Sequence, residues 1–171
     1  MADIAEVLLY ICQKYPHPDE LSKARATKLV YLADWKAAIE TRVQITPIQW
    51  KFDHYGPWVE DIVHVARADN RFVVSKGTTF YGNDKDVIGL APGSLNAKPH
   101  LTSIEERILD FTIETTRKLT WNDFIKLVYS TFPIMSESRF SNLDLVSLAT
   151  DYQVQQEELG WINSSPSLAG A

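Results

Sequence analysis

A single cysteine, Cys12, is all the thiol this 171-residue chain has. No disulfide can close within one chain, and neither a C-x-x-C redox pair nor a cysteine-rich zinc site can be built. Cys12 falls among Ile4, Val7, Leu8 and Ile11 at helical spacing, which predicts a buried structural thiol that acts as a small apolar filler. Glycine is scarce as well, with 7 residues. None of them forms a phosphate-binding loop of either common type, and the G-x-S-x-G elbow and the H-E-x-x-H pair are missing. Long apolar runs are absent: nothing approaches the roughly 18 residues of a membrane span. Asp3 and Glu6 interrupt the first apolar stretch, and no basic segment precedes it, so no signal peptide is expected and the cytoplasm is the expected location. Positive charge is in deficit, with Lys and Arg totalling 17 against 22 Asp and Glu, a formal net charge of -5. A general nucleic-acid binder needs a basic face that displaces counterions, and this balance works against one.

What is present suits one folded domain. Hydrophobic residues make up 45% and charged residues 23%, enough apolar surface for a sizeable core and too little charge for disorder throughout. Residues 1–160 are read as the domain and 161–171 as a disordered tail. The tail from Asn163 is made of small residues. Its end, Ser167-Leu168-Ala169-Gly170-Ala171, is small and largely apolar, a composition that suits a recognition tag for a cellular protease, although a tail with no role is the simpler account.

Ile4, Val7, Leu8 and Ile11 mark a first amphipathic helix, and Pro16-His17-Pro18 stops it. A second helix is predicted from about Asp19 to Thr41, with Leu21, Ala24, Lys28, Leu32, Trp35 and Ile39 near one face. The Lys28 stem lies along that face, with its charge at the edge. The period then changes to two: Ile48, Trp50 and Phe52 alternate with Gln49, Lys51 and Asp53, as in a half-buried strand. Gly56-Pro57 ends the strand, and Pro57 fits the first position of a third helix with the stripe Val59, Ile62, Val63 and Ala66. Phe72–Ser75, Thr78–Tyr81 and Val87–Leu90 read as short strands, with turns at Lys76-Gly77 and Gly82-Asn83-Asp84. Thr102 and Glu105 have capping-box spacing, and Ile104, Ile108 and Phe111 follow on one face. Thr120 is placed to cap the next helix, which Phe132-Pro133 ends. A last helix is predicted from Leu143 to about Gln155. The fold class is α+β: a mostly helical single domain with a small antiparallel sheet inserted between helices, from about Ile48 to Leu90.

Chemistry-bearing residues are sparse. Asp53, His54, Asp61 and His64 are the one group with metal-ligand character, since Asp61 and His64 share a helix face. They carry the alternative of a small metal-dependent or nucleic-acid-processing enzyme. Lys23, Arg25, Lys28, Lys36 and Arg42, with Tyr31 and Trp35 among them, carry a third reading, a nucleic-acid-binding regulator. In both cases a solvated surface is the simpler account.

The stretch Lys28-Leu29-Val30-Tyr31-Leu32-Ala33-Asp34-Trp35 resembles the K-L-h-Y-h-A-D segment of the Panacea domain family, where h is apolar. The family's second hallmark, an aromatic-rich strand closing in Y-G-P, is matched by Trp50-Lys51-Phe52-Asp53-His54-Tyr55-Gly56-Pro57-Trp58. Leu101 to Leu145, with its Leu119-Thr120-Trp121 helix entry, is similar to the family's C-terminal helical part. The resemblance implies an antitoxin, found also in prophages, that neutralises a cognate toxin by direct contact. It implies no catalytic residues, no cofactor and no metal. Some relatives carry an N-terminal DNA-binding segment; here the first helix begins at once, so none is expected. Tyr31, Trp35, His54, Tyr55, Trp58 and Asp61 are the predicted partner-binding residues, because aromatic side chains anchor protein interfaces. For Tyr31 and Trp35 the competing reading is a shared aromatic core with Trp50 and Phe52.

Overall fold

Helix α2 (Lys23–Thr41) is the element around which the rest is arranged. Ser22 caps it, its hydroxyl accepting from Arg25 N–H at 3.1 Å. The alanine-rich run that follows suits a helix buried all round, because small side chains let neighbours approach closely. In the computed structural model, which describes residues 1–164 and the last four of them by backbone alone, α2 is packed against elements on every side. These are α1 (Ile4–Lys14), β2 (Gly56–Trp58), α3 (Asp61–Ala68), β4 (Asp84–Leu90), α4 (Ser103–Thr116) and α7 (Leu145–Ser164). The helix ends where Arg42 turns left-handed at φ 66°. Its start is later than the predicted Asp19, because Pro18–Glu20 form one turn of 3-10 helix first.

Two small antiparallel sheets complete the fold. The first has strand order β2-β1-β5, with β1 Trp50–Asp53 and β5 Asn142–Leu143. Phe52 pairs with Pro57 and Trp50 with Leu143. The second is the hairpin of β3 (Phe72–Thr78) and β4, whose other edge is covered as Ile88 N–H donates to Leu21 O at 2.9 Å. Arg67, Lys76 and Lys23 converge on Asp86 at 3.3, 2.6 and 3.7 Å, tying α3, β3 and α2 to β4. Helices α5 (Trp121–Tyr129) and α6 (Phe132–Ser136) lie between α4 and β5 in the chain. Among the described residues this is a mostly helical α+β domain with seven α-helices and small antiparallel sheets.

Several local expectations are corrected. Pro57 lies in β2, not at a helix start; α3 begins at Asp61 behind Glu60. Proline is tolerated there because β2 is an edge strand. The strand predicted over Thr78–Tyr81 does not form: Thr78 ends β3, the hairpin turns at Thr79–Asn83, with Gly82 at φ 82°, and Gly77 stays in register opposite Lys85. The sheet is not confined to the segment from Ile48 to Leu90, since β5 arrives from residues 142–143. On α4 the capping box forms as predicted, but the buried face is Ile108, Leu109, Thr112, Ile113 and Thr116, leaving Ile104 and Phe111 exposed. Phe132-Pro133 opens α6 instead of merely ending α5. Leu143 goes to β5, so the last helix starts at Leu145 and runs on to Ser164. Of the tail predicted over 161–171, residues 161–164 continue α7; the rest, with the protease tag, lies outside the described residues. Cys12 is half-buried, and its burial pushes the thiol up to about 12, which fits an inert structural role.

Candidate functional site

Asp34 holds the region together. It is wholly buried on α2. Its Oδ1 accepts from Ile45 N–H and Thr46 N–H, both at 2.9 Å. Its Oδ2 accepts from Thr46 Oγ1 at 2.6 Å and from Trp50 Nε1 at 2.9 Å. Burial pushes the carboxyl up to about 6, against the pull of these donors. The connection after α2 has no regular structure of its own; the carboxylate supplies the acceptors its backbone would otherwise lack. The clamp also orients Trp50 at the head of β1. Its indole meets Tyr31 edge-on at 5.5 Å between ring centroids, and Tyr31 Oη is 2.8 Å from Thr131 Oγ1. Residues of the K-L-h-Y-h-A-D segment thus aim the first strand of the aromatic hairpin.

At the far end of that strand the chain reverses within His54 and Tyr55, since Asp53 pairs with Gly56. Gly56 sits at φ 93°, in the left-handed region that glycine enters without steric cost, as it closes the turn opposite Asp53. A Cβ there would lie 3.3 Å from the Tyr129 ring. The reversal throws Tyr55 into solvent, 82% exposed. The His54 ring meets Phe140 at 4.9 Å, edge to face. Phe140 is itself 59% exposed and held at φ 70°. An exposed aromatic in a left-handed conformation is unusual for a residue with a side chain, and such conformers concentrate at functional surfaces. It is fixed by β-type bonding on both sides, Phe140 N–H to Phe52 O at 2.5 Å and Phe52 N–H to Ser141 O at 2.9 Å. Phe140 is a surface residue that sequence reasoning missed. No periodic signal marks it, because β5 is too short to show one.

The family model described as antitoxin SocA-like, Panacea domain, matches residues 27–132, more than half of the chain. The chain belongs to the SocA-like Panacea family. No curated protein and no solved structure matches it. The Panacea span takes in α2 from Thr27, both hairpins, α4 and α5, and ends at Phe132. Phe140 therefore comes from outside the matched span and completes a surface that the Panacea turn begins.

Within this Panacea domain the six predicted partner-binding residues separate into two groups. Tyr31 and Trp35 are buried, Trp35 against Tyr152 at 5.7 Å, so neither presents a face to a partner. That corrects their placement on a surface and assigns them to packing. His54, Tyr55 and Asp61 are exposed, and Trp58 is half-buried with Nε1 donating to Glu60 Oε1 at 2.9 Å. The other groups are differently placed. Asp53 Oδ1 accepts from His54 N–H at 2.8 Å. His64 is exposed on α3, and no group of three or more His, Cys, Asp or Glu side chains among the described residues is arranged to hold a metal ion. The basic residues of α2 do not form one face. Arg25 and Lys28 are buried, Lys23 reaches Asp86, Lys36 reaches Glu40 at 2.8 Å, and Arg42 lies 3.4 Å from Thr150. No helix among the described residues is long and apolar enough to cross a membrane.

Lys28, the first hallmark residue, is 2% exposed. Its Nζ lies 5.5 Å from the centroid of the Trp58 ring. Desolvation, with no compensating anion, brings its pKa down to about 8. The sign of the consequence follows directly. Between pH 8 and the ordinary lysine range the unfolded chain binds more protons than the folded one, so stability rises with pH across that window. At pH 7 the buried ammonium costs roughly 1–3 kcal/mol, partly offset by the indole face. Lys28→Met is therefore expected to stabilise the fold at pH 7 by that amount and to lose the stability gain between pH 8 and 10. Urea unfolding of both proteins at pH 7, 9 and 10 checks this; parallel pH profiles would show that the charge costs nothing.

Proposed function

We propose that this protein is an antitoxin that neutralises a cognate toxin by direct protein–protein contact, as a binding protein and not as an enzyme. The observation that carries this reading is the aromatic tip made by His54, Tyr55 and Phe140, held out by a rigid turn and supported from beneath by Asp34 and Trp50. Large apolar groups exposed on a locked backbone bind with little ordering cost, which suits an interface anchor. Membership of the antitoxin family supports the class of partner. Trp58 and Asp61 lie further along the same segment and are proposed as its flank, while Tyr31 and Trp35 act only through packing.

The test is co-expression with each protein encoded by a neighbouring gene. The wild type is expected to restore growth of cells that the neighbour arrests, and to form a stable complex with it. Tyr55→Ala combined with Phe140→Ala is expected to weaken that complex about 100-fold, near the 2–4 kcal/mol typical of interface anchors, with unchanged circular dichroism. Failure of the wild type to bind or rescue would retire the antitoxin reading. Full-strength binding by the double variant would retire this surface.

A further inference from the structure

Lys28 combines two properties that rarely coexist. It is among the largest fully buried side chains, and no carboxylate among the described residues pairs with it. Lys23, Lys36, Lys76 and Lys126, all more exposed, each have a carboxylate between 2.6 and 3.9 Å away. The contrast with Asp34, two turns along the same helix, is sharp: that buried charge is fully satisfied by the chain's own donors. One turn before Lys28, Arg25 is buried too. Its guanidinium donates to Tyr15 Oη at 3.0 Å and faces the rings of Trp121 and Phe124 at 5.4 and 5.1 Å, and the carboxylate of Glu20 approaches only to 4.0 Å. Of two cations on successive turns, Arg25 thus has one anion at the limit of pairing distance, and Lys28 has none among the described residues. The carboxylate nearest the Lys28 cover, Glu60, is taken by the Trp58 indole instead. Trp58 is half-buried, and its indole makes one exposed side-chain hydrogen bond among the described residues, so it screens the ammonium without sealing it.

A buried cation left without an anion destabilises a fold, and an apolar side chain of similar length would fill the same space. The charge is thus not explained by folding. We infer that the Lys28 ammonium is the receptor for an acidic side chain of the partner protein, an Asp or Glu carboxylate that enters beside Trp58 and closes an ion pair with Nζ. This rests on the reading of the protein as a partner-binding module and names the partner's chemistry at that site. A carboxylate carries the single charge that one ammonium matches, whereas a polyanion would be repelled by the chain's net charge of -5. The pair would form in a desolvated site walled by an indole, where a charge-assisted bond is strong.

The probe is acetate, titrated into the full chain with acetamide and inorganic phosphate as comparators, while the Trp58 Nε1–H resonance is followed by NMR. Acetate is expected to shift that resonance saturably, with a midpoint on the order of 10–100 mM for one charge-assisted bond. Acetamide should not shift it, and both Lys28→Met and Lys28→Gln should lose the response. Random peptides selected on the wild type and counter-selected on Lys28→Met should retain an Asp or Glu at one constant position. No saturable shift, a shift that survives in both variants, or tighter binding of phosphate overturns the inference. Acetate needs no toxin, so failure here leaves the antitoxin reading intact, and failed neutralisation leaves this site intact.

Discussion

Asp34→Ala is expected to unfold the protein under conditions where the wild type is stable. The substitution removes one acceptor group and strands four donors: Ile45 N–H, Thr46 N–H, Thr46 Oγ1 and Trp50 Nε1. Each buried donor left unpaired costs about 1–3 kcal/mol. Even if water or local collapse rescues half of them, the loss is roughly 3–5 kcal/mol, a large share of the ~5–15 kcal/mol that holds a typical domain together. The effect is also topological. Without the clamp the segment after α2 loses its tether, and the Trp50 indole loses its anchor. Asp34→Asn should recover part of the loss, because its carbonyl oxygen still accepts, while its amide group turns a donor toward other donors. Urea unfolding with circular dichroism measures both. A cost below about 1 kcal/mol for Asp34→Ala would show that the connection holds itself in place.

Gly56→Val is expected to be the second most damaging single change, at roughly 3 kcal/mol. Two effects add. A side chain at φ 93° carries a conformational cost of about 1–2 kcal/mol, more for a β-branched residue. The new Cβ would press on the Tyr129 ring from 3.3 Å, and overpacking costs about 1–3 kcal/mol. Tyr129→Ala made alongside separates the two, since it relieves the contact and leaves the backbone strain. The turn presents Tyr55, so partner binding should fall with stability in Gly56→Val. If urea midpoints of wild type and variant coincide, the turn has another low-energy form and the rigid presentation of Tyr55 is wrong.

The hallmark residues show why a motif can be seen before it can be interpreted. Lys28, Tyr31 and Asp34 were legible as a family segment on a helix. Their tasks were not, because each task depends on a partner elsewhere in the chain: Trp58 for Lys28, Thr131 for Tyr31, Thr46 and Trp50 for Asp34. The same limit explains the two aromatics misplaced on the surface. Tyr31 and Trp35 share a helix face, and nothing in their spacing says which element covers it. Trp35 is covered by Tyr152, from the far end of the chain.

By itself the sequence determined what depends on a few neighbouring residues. Ile4 to Ile11 make a helix, Thr102 with Glu105 forms the cap of α4, Thr120 caps α5, and the alternation through Trp50 and Phe52 makes β1. Caps and periodicity act over one or two turns, so their physics is written locally. Tertiary structure alone decided that Asn142–Leu143 forms a strand, that Pro57 sits on a sheet edge, that Phe140 joins His54, and that Lys28 is buried with no anion beside it among the described residues. Burial and pairing belong to two segments at once. A side chain's environment is set by whatever packs on it from distant parts of the chain, and no local pattern records that.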